Sequence, residues 1–379
     1  MTQVNTFPPL GTFFVPGPTQ VRLATLQAMT RPMIAHRSAA FRDLFLRAQS
    51  GLQKVFGTRQ PVLIATSSAT GLMEAAIRNA PPGRVLALVN GGFSERFANI
   101  AAACGRSVDR DEVPWGKVHD LGEVNSRLQA GRYALVTVVH SETSTGALTD
   151  VRAVSDAAHR VGAVCCIDSV SGFRGAELRF DDWRLDYVFT GSQKALAVPP
   201  GLAFAVASPA FLSGGQREGR GVYFDLTEMV AAAASGEPLN TPAIPLFYAL
   251  DVQLEFILAE GVEAAWARHS AMARLTAEWV SEARTASNMD LSIVAPEGHR
   301  SPTVTAVALP DGLAPDVVLR GVADRGFTLG GGYGQLKGST IRIGHMGDHT
   351  VDGVARCLEA VADVLRTIRP SPQLTQSGV

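Results

Sequence analysis

The stretch AVCCIDSVSGFRGAELRFDDWRLDYVFTGSQKALAVPPGLAFAVA, residues 163–207, contains three short apolar runs separated by polar and glycine-containing segments. Similar runs precede it, and segments of helical character lie between several of them. Strands that are apolar on both faces and linked by helical crossovers are typical of a mostly parallel sheet covered on both sides. The predicted strands are 62–65, 85–89, 134–139, 163–167, 187–190 and 202–207, and the predicted helices between them are 71–79, 94–104 and 151–160.

The alternation ends near residue 245, and the pattern then favours helices with a few strands. A long helical stretch interrupted at Gly261 leads into two strand-like runs and a last helix with one apolar face. The predicted elements are helices over 244–286, 315–325 and 354–368 and strands over 303–309 and 340–343. We predict three parts: an N-terminal arm (1–20), a large α/β domain (21–260), and a connecting helix with a smaller C-terminal α+β domain (261–379).

The composition is that of an ordinary globular protein. The chain has 379 residues, of which 46% are apolar and 18% charged, and its net charge is −1. A near-neutral charge without a run of one sign argues against nucleic acid or an anionic membrane as a partner, and no apolar stretch reaches the ~18 residues of a membrane span. The four cysteines lack CxxC spacing, and the N-terminus lacks a secretory pattern. We therefore expect reduced thiols, a cytoplasmic location and no bound metal.

Polar residues follow three of the predicted strands, where ligands bind in open parallel sheets. Ser67, Ser68 and Thr70 lead into a helix start whose free amides suit a phosphate, with ordinary helix capping as the alternative. Asp168 ends a second strand, where a buried carboxylate needs a cation or a proton donor unless it only caps the following turn. Lys194 follows a third strand, and its alternative is a lysine that snorkels from a strand edge.

Lys194 stands out because the chain has lysine at only three other positions, Lys54, Lys117 and Lys337. Arginine is used elsewhere, although genomic base composition explains that bias equally well. A lysine can lose its proton and attack a carbonyl, which a guanidinium cannot do. A phosphate cradle, a buried carboxylate and an amine are together what pyridoxal 5′-phosphate requires, for its phosphate, its ring nitrogen and its aldehyde.

The chain resembles the class V branch of the fold-type I aminotransferases, which depend on pyridoxal 5′-phosphate, near the alanine–glyoxylate and serine–pyruvate enzymes. The specific part of the similarity is the segment SQKAL…PPG combined with an upstream DSVS. The resemblance implies the fold of that class, a large domain with a mostly parallel sheet and a smaller C-terminal α+β domain. The matching stretches are FVPGPTQV (14–21), IAHRSAAF (34–41), HSETSTG (140–146), IDSVSGFRG (167–175), TGSQKALAVPPG (190–201), NTPAIP (240–245), SPTVTAV (301–307) and IRIGHMGD (341–348).

The resemblance implies a role for each matching residue. Lys194 would bind the aldehyde of the cofactor and Asp168 its pyridinium nitrogen, while Arg342 would grip the α-carboxylate of the substrate. Thr241 would reach the phosphate in the neighbouring subunit, which implies a homodimer with shared active sites. The other implied contacts are Ser68, Ala69 and Thr70 at the phosphate with Gln193 beside it, Phe93 and Val170 on the ring faces, and Thr143 near cofactor and substrate.

Two positions depart from the pattern of some relatives. Thr70 stands where they have histidine, and Pro238 stands where they have a tyrosine three residues before Thr241. The hydrogen bonds at the phosphate should therefore differ. Selection of the substrate side chain is expected to involve residues 16–19, residues 36–38 and Tyr333.

The implied reaction moves an amino group from a small amino acid, alanine or serine with aspartate as a further candidate, to glyoxylate or pyruvate. Lys194, displaced by the amino donor, would act as general base. Its amine works only when neutral, so its surroundings must lower its pKa. The alternatives are a lyase or desulfurase on the same scaffold, a non-catalytic cofactor-binding protein, and a hydrolase. The helical settings of Cys104 and Cys357 disfavour a desulfurase, and the lack of GxSxG around Ser192 disfavours a hydrolase.

Overall fold

The computed structural model describes residues 11–215, 218–287 and 289–368, so the ends of the predicted arm and of the predicted C-terminal domain lie outside the described residues. The helices are α1 (Leu23–Ala28), α2 (Ala39–Phe56), α3 (Ala69–Asn79), α4 (Gly92–Ala103), α5 (Leu121–Gly131), α6 (Val151–Arg160), α7 (Pro209–Gly214), α8 (Leu226–Ala234), α9 (Ile244–Glu260), α10 (Val262–Ser287), α11 (Pro315–Ala323) and α12 (Val351–Thr367). The strands are β1 (Phe13–Phe14), β2 (Leu63–Thr66), β3 (Arg84–Val89), β4 (Val108–Glu112), β5 (Tyr133–Val139), β6 (Ser141–Glu142), β7 (Ala147–Leu148), β8 (Val164–Asp168), β9 (Tyr187–Gly191), β10 (Leu202–Ala207), β11 (Ser292–Ile293), β12 (Val304–Ala308), β13 (Thr328–Gly331) and β14 (Thr340–Gly344).

A seven-stranded sheet organises the larger part of the chain, with strand order β2-β10-β9-β8-β5-β3-β4. Strand β10 runs antiparallel to both of its neighbours, and the other adjacent pairs are parallel. Every residue of β9 and β10 is buried, as expected for strands covered on both faces. The prediction of a mostly parallel α/β sheet is therefore confirmed.

The C-terminal part contains a second sheet, with strand order β1-β13-β14-β12-β11. Its first strand comes from the N-terminal segment and pairs in parallel with β13, while the other pairs are antiparallel. Phe14 is completely buried and stacks on His349, with 4.2 Å between the ring centres. The N-terminal segment is thereby tied to the C-terminal sheet, and it passes the larger sheet on its way to α1.

The predicted strands of the large sheet all occur within one residue of their expected ends. Strand β4, with the sequence VDRDE, was not predicted because it is an edge strand without an apolar run. Helices α1, α2, α5, α7 and α8 were also missed. The predicted interruption at Gly261 separates α9 from α10, where this residue takes a φ of 85°. None of the helices within the described ranges is both long and apolar enough to span a bilayer.

An ionic cluster around the buried Arg174 joins the part of the chain that holds the large sheet to the C-terminal part. The side chain of Arg174 is 1% exposed and lies 3.2 Å from Asp348 and 2.9 Å from Glu260. Arg22 lies 2.6 Å from Asp348, and Arg268 lies 2.6 Å from Glu260. Burial acts to raise the pKa of Asp348, but Arg174 and Arg22 hold that pKa below its usual value. Asp348 is therefore ionised in the folded protein and compensates the buried positive charge of Arg174.

Asp348→Ala is expected to lower the free energy of unfolding by about 3 kcal/mol, because it leaves the buried Arg174 with a single carboxylate partner. Urea unfolding followed by circular dichroism measures the loss. The matched control is Asp251→Ala, which removes the partner of an Arg47 side chain that is 59% exposed. Surface pairs of this kind contribute about 0–1 kcal/mol. Equal losses in the two variants would contradict the expectation.

Candidate active site

Lys194 and Asp168 lie at the carboxyl ends of neighbouring parallel strands. Asp168 ends β8 and is in register with Phe189 of β9, and Lys194 follows β9 by three residues. The loop after β9 is held by the hydroxyl of Ser192, which donates to the carbonyl of Pro199 at 2.7 Å. Asp168 is 3% exposed and Lys194 is 8% exposed. Lys194 is therefore a buried amine that lines the same cavity as a buried carboxyl group, and it does not snorkel to solvent.

Burial lowers the pKa of the Lys194 ammonium to about 8. Arg342 acts in the same direction, while Asp168 and Glu142 oppose it. A sizeable neutral fraction is therefore present at physiological pH, as a nucleophile or a general base requires.

The neutral fraction of Lys194 is expected to control how fast the chain captures an aldehyde. Covalent capture of pyridoxal 5′-phosphate by the apoprotein should accelerate about tenfold per pH unit and level off above a pH of about 8, since only the unprotonated amine attacks. Borohydride reduction and peptide mass spectrometry measure the modified fraction at Lys194, with the exposed Lys54 as internal reference. A Lys194 rate that rises in parallel with that of Lys54 up to pH ~10 would contradict the expectation.

Asp168 is held in a setting that favours its neutral form until a cation faces it. Burial raises the pKa of its carboxyl group to about 7, although the backbone N–H of Val170, which donates to it at 2.8 Å, acts to lower that pKa. This amide donates the only hydrogen bond to the carboxyl group from within the described part of the chain, and no described cation forms a salt bridge with it. Asp168 thus accepts one hydrogen bond from the turn that follows it, as the capping alternative expects. Its remaining hydrogen-bonding capacity is available to the cavity that it lines.

The start of α3 has an unused hydrogen-bonding capacity. Ser68 occupies the N-cap position, but its side chain forms no capping hydrogen bond. The hydroxyl and the first amides of the helix, at Ala69 and Thr70, are therefore available to an anion. The phosphate-cradle interpretation fits this geometry better than ordinary capping.

Phe93 is positioned by a carboxylate that the sequence pattern did not reveal. Glu142 is completely buried and accepts hydrogen bonds from the backbone N–H groups of Phe93 at 3.1 Å and Ser94 at 3.0 Å. A carboxylate at this place also complements the partial positive charge at the start of α4. The Phe93 ring stacks on Tyr333, with 5.3 Å between the ring centres, and the guanidinium of Arg96 lies 5.0 Å from the Phe93 centre.

Arg342 approaches the site from the C-terminal sheet. Its Nε donates to the Gly331 carbonyl at 2.7 Å, and its Nη1 donates to the Thr143 carbonyl at 3.2 Å. The hydroxyl of Thr143 shares a hydrogen bond with that of Ser171. Among the residues described, Arg342 forms no salt bridge, so its guanidinium can bind a carboxylate in a bidentate manner. Burial lowers its pKa from the usual value, and a guanidinium nevertheless stays charged.

One cavity gathers most of the predicted residues. Its walls include Ser68, Ala69, Thr70, Phe93, Thr143, Asp168, Val170, Gln193 and Lys194, together with Met73, Arg96, Val139, Ser141 and Ser171. Arg342 is connected to this wall through Thr143. Thr241 does not line the cavity; it is exposed and lies in a separate groove with His36 and Arg37. Its predicted role at the phosphate in a neighbouring subunit stays a prediction.

Glu142, Ser171 and Arg96 belong to the site but were missed by sequence reasoning. Glu142 and its amide partners are separated by 48 and 49 residues, and Ser171 and Thr143 are separated by 28. No local spacing rule connects such residues. The available signal was a charged residue inside the otherwise uncharged run HSETSTG.

These residues fit pyridoxal 5′-phosphate. A buried amine and a buried carboxyl group, neither of which forms a salt bridge with a described residue, face one cavity, and a helix start with an unused hydroxyl opens onto it. Their chemistry is complementary to an aldehyde, a basic ring nitrogen and a phosphate.

Comparisons with known proteins cover nearly the whole chain. Residues 19–333 match the family model of the class-V aminotransferases. The L-aspartate–glyoxylate aminotransferase of Paracoccus denitrificans is 34% identical over 366 residues, which cover 93% of this chain and 91% of that protein. The serine–glyoxylate aminotransferase of Methylorubrum extorquens is 32% identical over 350 residues, covering 88% and 86%. The crystal structure of an alanine–glyoxylate aminotransferase from Nostoc sp. superimposes with a TM-score of 0.88 at 30% identity and covers 97% of both chains.

Proposed function

This chain belongs to the class-V aminotransferases, and we propose that it moves the amino group of alanine, serine or aspartate to glyoxylate or pyruvate. Enzymes of this family and fold generally depend on pyridoxal 5′-phosphate. The observation that carries the proposal is the single cavity that unites Lys194 with Asp168 and connects to the guanidinium of Arg342. The relatives support the choice of substrates, because their names specify aspartate, serine and alanine as donors to glyoxylate.

The cofactor is held at three places in this proposal. Ser68, Ala69 and Thr70 bind the phosphate at the start of α3, with Gln193 beside them. Asp168 keeps a proton on the ring nitrogen, because a facing cation stabilises its ionised form. The apolar side chains of Phe93 and Val170 cover the ring faces. When bound, pyridoxal 5′-phosphate supplies an aldehyde for amine exchange and a ring that takes up the electron pair of a broken Cα–H bond.

The remaining residues bind the substrate and move its proton. Arg342 binds the α-carboxylate and so fixes the Cα–H bond relative to Lys194. The neutral amine of Lys194 would remove the Cα proton and, as the ammonium, would return it to the bound cofactor. Water would then release the 2-oxo acid of the donor, and the second 2-oxo acid would take up the amino group by the reverse steps. The buried setting of Lys194 and Asp168 limits the contact of bulk water with the proton transfer.

Half-reaction spectra test the proposed substrates. The loaded enzyme is mixed with one amino acid at a time, and the absorption band of the cofactor is followed by stopped flow. Alanine, serine or aspartate should remove the band with release of the matching 2-oxo acid, and glyoxylate or pyruvate should restore it. Release of ammonia or sulfide without amino transfer would favour the lyase or desulfurase alternative, and no response to any donor would favour a non-catalytic role.

The cysteines do not support a desulfurase. A reactive cysteine must reach the substrate as a thiolate, yet none of the four cysteines lines the cavity. Cys357 is buried, and burial raises its pKa to about 12. Burial also raises the pKa of Cys104, which lies at the end of α4. The free thiols are consistent with a cytoplasmic location, which we include in the proposal.

We further propose a homodimer in which Thr241 reaches the partner's phosphate site. The groove that holds Thr241 with His36 and Arg37 lies outside the cavity, as a contribution to a second copy requires. Two large side chains are exposed nearby, Val222 at 86% and Tyr223 at 46%. The side-chain amide of Asn240, the residue before Thr241, donates to the Tyr223 carbonyl and ties this segment to Thr241. Such exposure is typical of a surface that a partner covers.

Val222→Asp is expected to weaken the dimer, because it places a charge among apolar side chains that the proposal buries. Light scattering coupled to gel filtration should give twice the 40.1 kDa chain mass for the wild type and a larger monomer fraction for the variant at micromolar concentration. Leu121→Asp, at a 37% exposed position on α5, is the control and should keep the wild-type mass. A monomeric wild type with full activity would refute the shared site.

A further inference from the structure

The N-terminal strap, residues 15–19, is held on both sides. Toward the C-terminal sheet it packs so closely that a Cβ added at Gly344 would lie 2.3 Å from the Val15 carbonyl oxygen. A Cβ added at Gly330 would lie 2.5 Å from Cδ of Pro16. Toward the large domain, the N–H of Thr19 donates to the Gln193 carbonyl at 2.8 Å. The strap is therefore fixed beside the residue that precedes Lys194.

The strap also contacts Lys194 directly. The Nζ of Lys194 donates to the carbonyl oxygen of Pro16, the only hydrogen-bond acceptor of this amine within the described part of the chain. A Cβ added at Gly17 would lie 2.4 Å from Cδ, 2.6 Å from Cε and 2.8 Å from Nζ of Lys194. Gly17 also has a φ of 97°, which favours glycine. No side chain fits at position 17 while Lys194 keeps its observed position.

A buried amine without a partner is costly, and the described carboxylates form no salt bridge with Lys194. We propose that the Pro16 carbonyl positions Lys194 whenever its amine is not covalently bound, and that the absence of a side chain at Gly17 leaves the space that Lys194 needs there. The carbonyl accepts from both the neutral amine and the ammonium, so it can hold Lys194 in the cavity before and after proton transfer. Both are positioning groups that act through Lys194. The inference deepens the proposed function and rests on it only for the proton-transfer role.

Gly17→Ala tests the inference by crowding the lysine. In the apoprotein, trace acetylation by acetic anhydride at pH ~9 should label Lys194 several-fold faster than in the wild type, because the displaced amine becomes more accessible. Lys54, Lys117 and Lys337 serve as internal standards in the same digest. Amino transfer should fall about 100-fold, as expected for a misplaced catalytic group.

Gly11→Ala is the matched control. It makes the same substitution at a glycine of the same arm with a φ of 84°, where the nearest atom to an added Cβ is 3.7 Å away on Arg356. It should leave Lys194 labelling and amino transfer near wild type. If Gly17→Ala labels Lys194 at the wild-type rate, or if Gly11→Ala changes labelling equally, the inference is wrong. If Gly17→Ala labels Lys194 faster but the wild-type chain is inactive in every half-reaction, the positioning of Lys194 is supported and the proposed function is refuted.

A second measurement needs no change at Gly17. The chain contains three Pro–Gly pairs, 16–17, 82–83 and 200–201, so ¹³C-carbonyl proline with ¹⁵N-glycine gives three signals. The 16–17 signal should shift as Lys194 titrates at a pH of about 8, and Lys194→Ala should abolish that shift. The 82–83 pair is the reference. An identical shift in wild type and Lys194→Ala, or no shift at all, overturns the inference even if Gly17→Ala fails to fold.

Discussion

Lys194→Ala is expected to lower the rate of amino transfer by at least about 10⁴-fold while the fold is retained. The variant loses both the nucleophile that captures the aldehyde and the base that moves the Cα proton. No described neighbour can replace it, because Asp168 across the cavity is needed in ionised form at the ring nitrogen. Single-turnover spectra with alanine, serine or aspartate measure the effect directly.

Two variants separate the contributions of Lys194. Lys194→Arg keeps the positive charge but cannot supply a neutral amine, so it should be as inactive as Lys194→Ala. Lys54→Ala removes an exposed lysine on α2 and should retain full activity. The melting temperature of the Lys194→Ala apoprotein should not fall, because burial disfavours the ammonium that the substitution removes. Amino transfer within tenfold of wild type in Lys194→Arg would exclude Lys194 as the base.

Asp168→Asn is expected to lower the rate of the donor half-reaction by about 10²- to 10³-fold, because a neutral amide cannot keep a proton on the ring nitrogen. Asp168→Glu keeps the charge but displaces it, and it should recover part of the rate. Asp150→Asn changes a carboxylate that caps α6 outside the cavity and serves as the control. Wild-type rates in Asp168→Asn would remove the carboxylate from the mechanism.

Asp168 is also expected to change how the stability of the apoprotein depends on pH. Burial raises its pKa to about 7, above the ordinary value of 3.8. For a carboxyl group with a raised pKa in the folded state, the stabilisation is complete at low pH and is lost as the pH rises toward and through that pKa. The melting temperature of Asp168→Asn relative to wild type should therefore increase between pH ~4 and ~7.5. A constant difference over this range would mean that Asp168 is already ionised in the folded apoprotein.

Sequence reasoning succeeded where a local pattern determines the structure or where chemistry demands one residue type. The six predicted strands of the large sheet are apolar runs because both of their faces are buried, so their bounds follow from hydropathy. The aminotransferase resemblance and the fold-type I class, carried by motifs such as TGSQKALAVPPG, are confirmed by the family match and by the superposition on a solved aminotransferase. The edge strand β4 escaped because its exposed residues carry no such pattern.

The sequence by itself determined the fold class, the family, and the residue types whose chemistry is irreplaceable, above all Lys194 and Asp168. Only the tertiary structure decided how these groups are held. Pro16 contacts Lys194 across 178 residues, and Glu142 orients Phe93 across 49. A backbone carbonyl and a glycine carry no functional side chain, and a carboxylate at a helix start has no fixed spacing from that helix. Such contacts arise when strand ends and an N-terminal segment are brought together by the folded chain, so no pattern along the sequence encodes them.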